Sequence, residues 1–387
     1  MTTKHSCVFT RCSPAIVLMA FLAFNTTAQA QDLSDGSAAS TSAVFTVEKT
    51  PNPSFNNFLF GISGDSDSDI WAVGTLGLHF DGSKWTAVPM ALLPFTADMR
   101  GVSVLSPDDV WAVGSAFNSN AQHETSVIQH FDGKKWNLVS SPQFSSGSQL
   151  FAVKAISSSD VFAVGETHSD SQKPAPLVEH FDGTKWSVVH TPQFKGQTVS
   201  LQAIAAISGT DLWVTGSSFG GPAAIMHFDG QKFRNVPFPM TNKAFLGGLS
   251  AIATDDVWVV GALVDRTVNA TKILTLTAHW DGKAWTIVPS PNPPTEAPLA
   301  VVAAISSNDI WAAGGQRDDA GVGQTSLIEH WNGKHWTINP VPLIGKGDDE
   351  FSIVAFPSRN VYVAGLSFGP SPKLATQTLI LHTTQGK

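Results

Sequence analysis

From about residue 44 onward the apolar residues fall in short runs separated by Gly, Asp, Ser and Pro. Runs of that length read as strands buried on both faces, and no segment after residue 30 holds an amphipathic helical period beyond a turn or two. The segment Ser157–Pro192 carries the whole pattern. It has apolar runs at Val161–Val164 and Leu177–Phe181, an Asp182-Gly183 hairpin signal, and a third run opening at Trp186.

This segment recurs. A motif of Asp or Asn, an aliphatic residue, an aromatic residue, two further residues and Gly begins at Asp69, Asp109, Asp160, Asp211, Asp256, Asp309 and Asn360. A histidine, mostly in His-Phe-Asp-Gly or His-Trp-Asp-Gly, follows at His79, His130, His180, His227, His279 and His330, with His382 in a decayed last copy. The period is roughly 50 residues, the size of one propeller blade. The expected fold is therefore all-β, a seven-bladed β-propeller of four-stranded antiparallel blades, with strand A innermost and D outermost. In the third blade the pattern places A at Leu150–Ile156, B at Val161–Gly165, C at Leu177–His180 and D at Trp186–His190.

Val44–Pro53 reads as a D strand, like Trp186–Pro192 or Trp285–Pro293, standing at the opposite end of the chain from its blade. The segment 350–387 has three strand-like runs and no fourth. Strand 44–53 is thus expected to complete that last blade and to hide an otherwise unpaired edge. The propeller then spans 44–387.

Blade topology divides the connections between two faces. A–B turns and C–D turns are short and uniform on one face. The B–C and D–A connections lie on the other, which carries the long and dissimilar segments Ser115–Ser126, Glu166–Pro176, Ala262–Thr275, Gly315–Ser326 and Leu366–Gln377. Variable loops on a rigid scaffold carry binding residues disproportionately, so the functional face is expected there. The first blade is the exception: only ten residues separate Asp69 from His79, leaving a low spot in the rim.

Ahead of the repeats, residues 1–30 have the form of a secretory signal peptide. Lys4 and Arg11 precede or flank the apolar run Ala15–Phe24, and Ala28-Gln29-Ala30 forms a cleavage signal. An uncleaved anchor is the alternative; the run is short for a membrane span. Residues 31–43 are small, polar and aperiodic, a disordered leader. Export to a periplasmic, extracellular or cell-surface location is expected. Both cysteines, Cys7 and Cys12, lie in the signal segment, so the exported chain has no disulfide or thiolate metal site. Losing Lys4 and Arg11 takes the formal net charge from −8 to −10, which argues against nucleic acid as a partner.

The order of elements, an apolar A strand, a B strand ending aromatic-x-x-Gly, a C strand running into Asp-Gly, and Trp opening D, resembles kelch repeats and the galactose-oxidase-type propeller over roughly 44–387. The B-strand diglycine of kelch is present only as Gly314-Gly315. The Asp-Gly-x-x-Trp element also resembles the Asp box of sialidases, where one residue separates Asp from Gly. A galactose-oxidase-like copper site would need a cysteine-modified tyrosine and a second tyrosine. A sialidase-like site would need a tyrosine nucleophile. The chain has one tyrosine, Tyr362, inside a strand.

The histidines sit at the ends of C strands, roughly 10 Å outward of strand A, and diverge from blade to blade. They are expected to hydrogen-bond the aspartates at the start of strand B, a structural network of buried polar groups. The twelve tryptophans all fall on repeat positions and are expected to pack between blades. That leaves the loop face, where Asp265, Arg266, Arg317, Asp318, Asp319, Asp348, Asp349 and Glu350 lie on or beside blades five to seven, with His123 and Glu124 in the second blade. Carboxylates on one rim bind calcium or a cationic partner, or simply keep the surface soluble. No cofactor is expected. These residues point to a monomeric, exported, non-catalytic binding module for a protein partner, without stable membrane insertion. A glycan-binding lectin is the first alternative and an extracytoplasmic hydrolase or lyase the second.

Overall fold

The computed structural model describes residues 43–93, 97–120, 122–168, 174–192, 194, 198–217, 223–240, 243–267, 270–317, 324–342, 347–368 and 376–383. Among them are 28 strands and no helix. The chain opens with β1 (Phe45–Val47) and then builds one blade at a time. Blade 1 is β2 (Leu59–Ser66), β3 (Asp69–Gly74), β4 (Gly77–Phe80) and β5 (Trp85–Val88). Blade 2 is β6 (Ala97–Ser106), β7 (Asp109–Asn118), β8 (His123–Phe131) and β9 (Trp136–Val139). Blade 3 is β10 (Ser148–Ser157), β11 (Asp160–His168), β12 (Pro174–Phe181) and β13 (Trp186–Val188). Blade 4 is β14 (Ser200–Ser208), β15 (Asp211–Ser217), β16 (Ala223–Phe228) and β17 (Phe233–Asn235). Blade 5 is β18 (Ala244–Ala253), β19 (Asp256–Thr267), β20 (Ala270–Trp280) and β21 (Trp285–Ile287). Blade 6 is β22 (Leu299–Ser306), β23 (Asp309–Arg317), β24 (Gln324–Trp331) and β25 (Trp336–Asn339). Blade 7 has β26 (Asp348–Ala355), β27 (Val361–Phe368) and β28 (Thr376–Thr383), and its fourth strand is β1.

All seven sheets are antiparallel and ordered as the chain runs, apart from blade 7, whose order is β1-β28-β27-β26. The first strand of each blade lies at the centre, where successive blades come into backbone contact. A Cβ added to Gly101 would lie 2.9 Å from Cα of Ala152, and one on Gly248 would lie 2.7 Å from Cα of Val301. Strand β1 pairs with β28 in the register Phe45↔Thr383, Thr46↔His382 and Val47↔Leu381. Beyond β1, Asn52 Oδ1 accepts from the Thr378 amide at 2.8 Å, so the N-terminal segment stays attached past its regular strand.

Two glycine positions of the repeat have a geometric cause. The glycine of aromatic-x-x-Gly lies under a bulge in the first strand. A Cβ at Gly165 would sit 1.9 Å from the Gln149 carbonyl oxygen, and a Cβ at Gly365 would sit 1.8 Å from that of Asp349. The glycine of the Asp-Gly turn needs the left-handed region, with φ of 88° at Gly183 and 83° at Gly133. It also packs on the A–B turn of its own blade: a Cβ at Gly183 would lie 2.8 Å from Cβ of Ser159. That contact places both kinds of short turn on one face.

Between the blades lies the core, in seven apolar seams. Strand-B residues such as Val161, Ala163 and Val164 are fully buried because each sheet is covered on both sides. The aromatic two residues after the B-strand Asp lies on the C-strand histidine, as in Trp311–His330 at 4.2 Å and Tyr362–His382 at 4.0 Å between ring centroids. The D-strand tryptophan of the following blade meets the same ring edge-on, as in Trp258–Trp336 at 5.7 Å and 74°. In the last blade Phe45 takes that place against Trp311, at 5.8 Å and 73°.

Segments that read as long B–C loops are largely paired strand. The pairing of β19 with β20 runs to Thr267↔Ala270, and that of β7 with β8 to Asn118↔His123. The sequence resembles loop there because polar residues such as Ser115, Thr125 and Ser126, or Asp265 and Lys272, share the paired arms with apolar ones such as Leu263, Val264, Ile273 and Leu274. Blade 1 keeps only Thr75 and Leu76 between β3 and β4.

Candidate functional site

On the short-turn face the repeat network is satisfied from within. His Nε2 lies 2.6 Å from Asp Oδ1 in the pair 79/69, 2.7 Å in 227/211, 2.8 Å in 130/109, 180/160 and 330/309, and 2.9 Å in 279/256. The second oxygen of several of these aspartates reaches the next blade. Asp211 Oδ2 accepts from Thr254 Oγ1 at 2.7 Å, and Asp256 Oδ2 accepts from Ser307 Oγ. In blade 7 the arrangement changes: Asn360 donates to Asp67 at 3.0 Å, and His382 turns Nδ1 to Glu48. The tryptophans are equally committed. Only Trp280 and Trp331 are half-exposed, and each donates its indole N–H to a backbone carbonyl at 3.2 Å.

Among the described residues, the loop-face candidates of blades 5 to 7 do not form one rim. Asp265 is half-buried on β19, opposite Lys272. Arg266 pairs with Thr271 through the backbone; its side chain lies outside the described residues, as do Asp318 and Asp319. Arg317 is held by Glu296, with Nε 3.1 Å from Oε2 and its amide donating to the Glu296 carbonyl at 3.0 Å. Asp348, Asp349 and Glu350 are on the innermost strand β26 and not on a loop. Asp348 and Glu350 are buried, so neither offers a carboxylate to the rim. Burial, with Asp348 adding to it, pushes Asp349 up to about 6. Glu350 fills the register position that Leu59, Met99, Leu150, Leu201, Leu246 and Leu299 hold in the other blades, each opposite the strand-B glycine. Its Oε1 accepts from Ser326 Oγ, and burial raises its pKa well above the carboxylate range.

The ionisable groups that gather on the arms are those of blades 2 and 3, although Glu166 alternates with Phe162 and Val164 and so faces blade 4. Asp98, Ser115 and Ser126 stand opposite one another across β6, β7 and β8, and Phe117 stands opposite Glu124. Residues directly opposite, or two apart on one strand, share a face of the sheet, so this set looks one way. It looks toward blade 3, because Ser126 Oγ donates to Ser148 Oγ of β10 at 2.7 Å. From blade 3, His168 Nε2 reaches Glu166 Oε1 at 3.1 Å, and the His168 amide donates to the Gly147 carbonyl at 3.0 Å. His123 Nδ1 lies 3.0 Å from its neighbour's carbonyl, that of Glu124. Toward the channel, the Arg100 guanidinium lies 4.3 Å over the Phe60 ring, which packs on Phe351 at 5.2 Å.

These groups act on each other electrically. Burial raises the Glu124 pKa, opposed by a hydrogen bond from Ser115 and by the charges of Arg100 and His168, while Asp98 adds to the rise. Burial likewise raises Asp98, against the pull of Arg100. The hydrogen bond to Glu166 raises His168, with the charges of Glu166 and Glu124 assisting and burial opposing. Sequence reading singled out His123 and Glu124 and missed Asp98, Glu166 and His168. Glu166 could have been found by aligning the repeats, since its register position holds Thr75, Ser115, Ser217, Ala262, Gly315 and Leu366 in the other blades. Among the described residues no group of three or more His, Cys, Asp or Glu side chains is placed to hold a metal ion.

No protein-family model matches the chain, and no curated protein matches it in sequence. Several solved structures share its fold. YCF48 bound to D1 peptide superposes with a TM-score of 0.56 at 13% identity, over 88% of this chain and 97% of that one. A polysaccharide lyase, ulvan lyase, bound to a glucuronate–sulfated-rhamnose unit gives 0.53 at 8% identity, over 82% and 90%. The xyloglucanase from Xanthomonas campestris gives 0.54 at 10% identity, over 87% of this chain and 55% of the other. At these identities the likeness is one of fold, the seven-bladed propeller.

Proposed function

We propose that the protein is an exported, non-catalytic binding module that holds a protein partner on the face carrying its long strand arms. The observation that carries this reading is the set Asp98, Ser115 and Glu124 on one face of the blade 2 arm, turned toward blade 3 through Ser126 and Ser148, beside a 39% exposed Phe117. The opposite face supports it by contrast, since its histidines and tryptophans are already spent on repeat contacts. The YCF48 structure, a propeller of like fold, has a peptide bound. No catalytic role is assigned: Tyr362 is stacked on His382 away from the arms, and no observation favours acid–base chemistry over charge recognition. The kelch-like kinship and the export signal at residues 1–30 are part of this proposal and rest on the repeat motifs and the leader pattern.

The test is to offer the full chain to a peptide array and a glycan array in parallel. Peptide hits that disappear with Glu124→Gln support the reading. Hits confined to glycans, or turnover of an arrayed sugar, overturn it.

A further inference from the structure

We propose that the arm-face notch over blade 1 receives the carboxyl-terminal residues of a protein partner, with apolar side chains along a row of phenylalanines and the terminal carboxylate at Arg100. The inference rests on the binding-module reading and adds a second contact, on the other side of the blade 2 arm from Asp98 and Glu124. Blade 1 alone lacks an arm. Its B and C strands stop pairing at Val73↔Gly77, short of the strand-B glycine, whereas every other blade pairs past that glycine. The blades on either side reach Asn118↔His123 and Phe368↔Thr376, which leaves a gap one arm wide. Its blade 7 wall is apolar. Leu366 and Phe368 follow Tyr362 and Ala364 at two-residue steps, so they share the face packed on blade 1, and Phe368 is 42% exposed. The segment entering blade 1 is tied to that wall, since the Asn57 amide donates to Thr376 Oγ1 at 3.2 Å. Two residues earlier, Phe55 is 57% exposed.

From the gap an aromatic row leads inward. Phe58, whose amide donates to Thr75 Oγ1 in the tight turn at 3.1 Å, stacks on Phe60 at 6.0 Å, and Phe60 meets Phe351 at 5.2 Å. Phe60, Arg100 and Phe351 are the extra residues of the first-strand bulges in blades 1, 2 and 7. Their mutual contact places these side chains together at the centre of the ring. The other bulges hold Phe151, Gln202, Gly247 with Gly248, and Ala300, so Arg100 is the one cation at this level. Its guanidinium lies 4.3 Å over Phe60 and so leans toward blade 1, while Asp98 and Glu124 are turned to blade 3. Asp349, on the opposite face of β26 from Glu350, is acted on by the charge of Asp348 and by no other, which places it away from Arg100. A guanidinium stacked on a ring still presents its N–H edge, and five donors serve more than one acceptor. A carboxylate is the complement. It is a terminal one because a chain entering by the gap meets the arms of the other blades on the far side, and a segment passing through would have to climb over them.

The probe is a fluorescein-labelled peptide, Gly-Ser-Gly-Ser-Ala-Val-Leu-Phe with a free carboxyl terminus, titrated into the full chain at ionic strength of about 0.15 M. Its counterparts are the same peptide as an amide, and that amide with Glu in place of Val, which moves the carboxylate to a side chain. Only the free acid is expected to bind. Arg100→Gln should weaken it at least about tenfold, the loss expected when a partly desolvated ion pair is broken. Phe55→Ser and Phe368→Ser alter exposed side chains and should each weaken it about threefold to tenfold through lost apolar contact. Val188→Ser, exposed on the outer edge of blade 3, should change nothing. Absence of binding by the free acid, equal binding of the amide, or full binding by both phenylalanine variants overturns the notch. Binding of the Glu-bearing amide as tightly as the free acid overturns the terminal carboxylate. If array peptides still lose binding with Glu124→Gln in any of these events, the binding-module reading survives the notch's failure.

Discussion

Nδ1 of His382 lies 3.0 Å from Oε1 of Glu48, joining two residues 334 positions apart where the ring closes. The other six repeat histidines turn Nε2 to an aspartate of their own blade, and only here does the partner come from the far end of the chain. The pair is partly exposed, with side chains 14% and 26% accessible, so most of the closing energy must come from the apolar contact beneath it. That contact is Phe45, 3% exposed, against Trp311.

Phe45→Ala is therefore expected to lower unfolding free energy by about 3 kcal/mol, in the range of buried Phe truncations. Glu48→Gln should cost less than about 1 kcal/mol. Urea unfolding followed by tryptophan fluorescence measures both. Equal effects would mean that the ion pair, and not the ring contact, closes the propeller.

Asp256 uses Oδ1 for His279 at 2.9 Å and Oδ2 for Ser307 of the next blade. Removing it leaves a histidine donor and a serine hydroxyl without their acceptor, so Asp256→Ala should cost about 2–3 kcal/mol. Ser307→Ala should cost about 1 kcal/mol. A double-mutant cycle should give a coupling above about 0.5 kcal/mol. Additive effects would mean that the blades are not linked through this carboxylate.

Glu179 and Glu329 occupy the C-strand position just before the histidine, both fully buried, and burial pushes each up to about 8. No charged group contributes to either shift; a Ser290 hydroxyl alone opposes it at Glu329. The folded state thus holds protons that the unfolded state releases near pH 4.5. Their stabilising contribution is full below about pH 4.5, declines as pH rises, and is gone once pH passes about 8. In blade 2 the same position is Gln129, whose amide accepts from the Ala91 N–H at 2.8 Å and donates to its carbonyl at 3.4 Å. Glu179→Gln should therefore leave melting temperature nearly unchanged at pH 5 and raise it at pH 8. A melting temperature that climbs with pH in the wild type would contradict the sign.

Glu350 stands where five leucines and one methionine hold the same register position in the other blades. Glu350→Leu should raise unfolding free energy at neutral pH by about 1–3 kcal/mol, the gain seen when a buried ionisable group gives way to an apolar one of similar size. A loss of stability would show that the Ser326 hydroxyl bond outweighs the burial cost.

Blade number, ring closure and the division into two faces were legible because each rests on a feature stated many times over. Asp160, Gly165, His180, Gly183 and Trp186 recur with their spacing, and Phe45 stands where a tryptophan would. The paired arms were less legible: on β19 and β20, Asp265, Arg266, Thr271 and Lys272 occupy a regular ladder yet resemble loop in sequence. The converging site was hidden for another reason. Asp98, Ser115 and Glu124 come from three strands of blade 2 and share a face only once those strands pair, and no local spacing encodes that. The acidic run Asp348–Glu350 misled in the opposite way. Three adjacent carboxyls look solvent-exposed in sequence, yet the innermost strand buries Asp348 and Glu350 and half-buries Asp349.

The account stands most directly on where a bound peptide sits. Hydrogen–deuterium exchange of the full chain, with and without a peptide selected on the array, should show slowed exchange in 115–126 and 147–168 and none in the Asp-Gly turns at 132–135 and 182–185. Protection confined to those turns or to the outer strands would contradict recognition by the arm face.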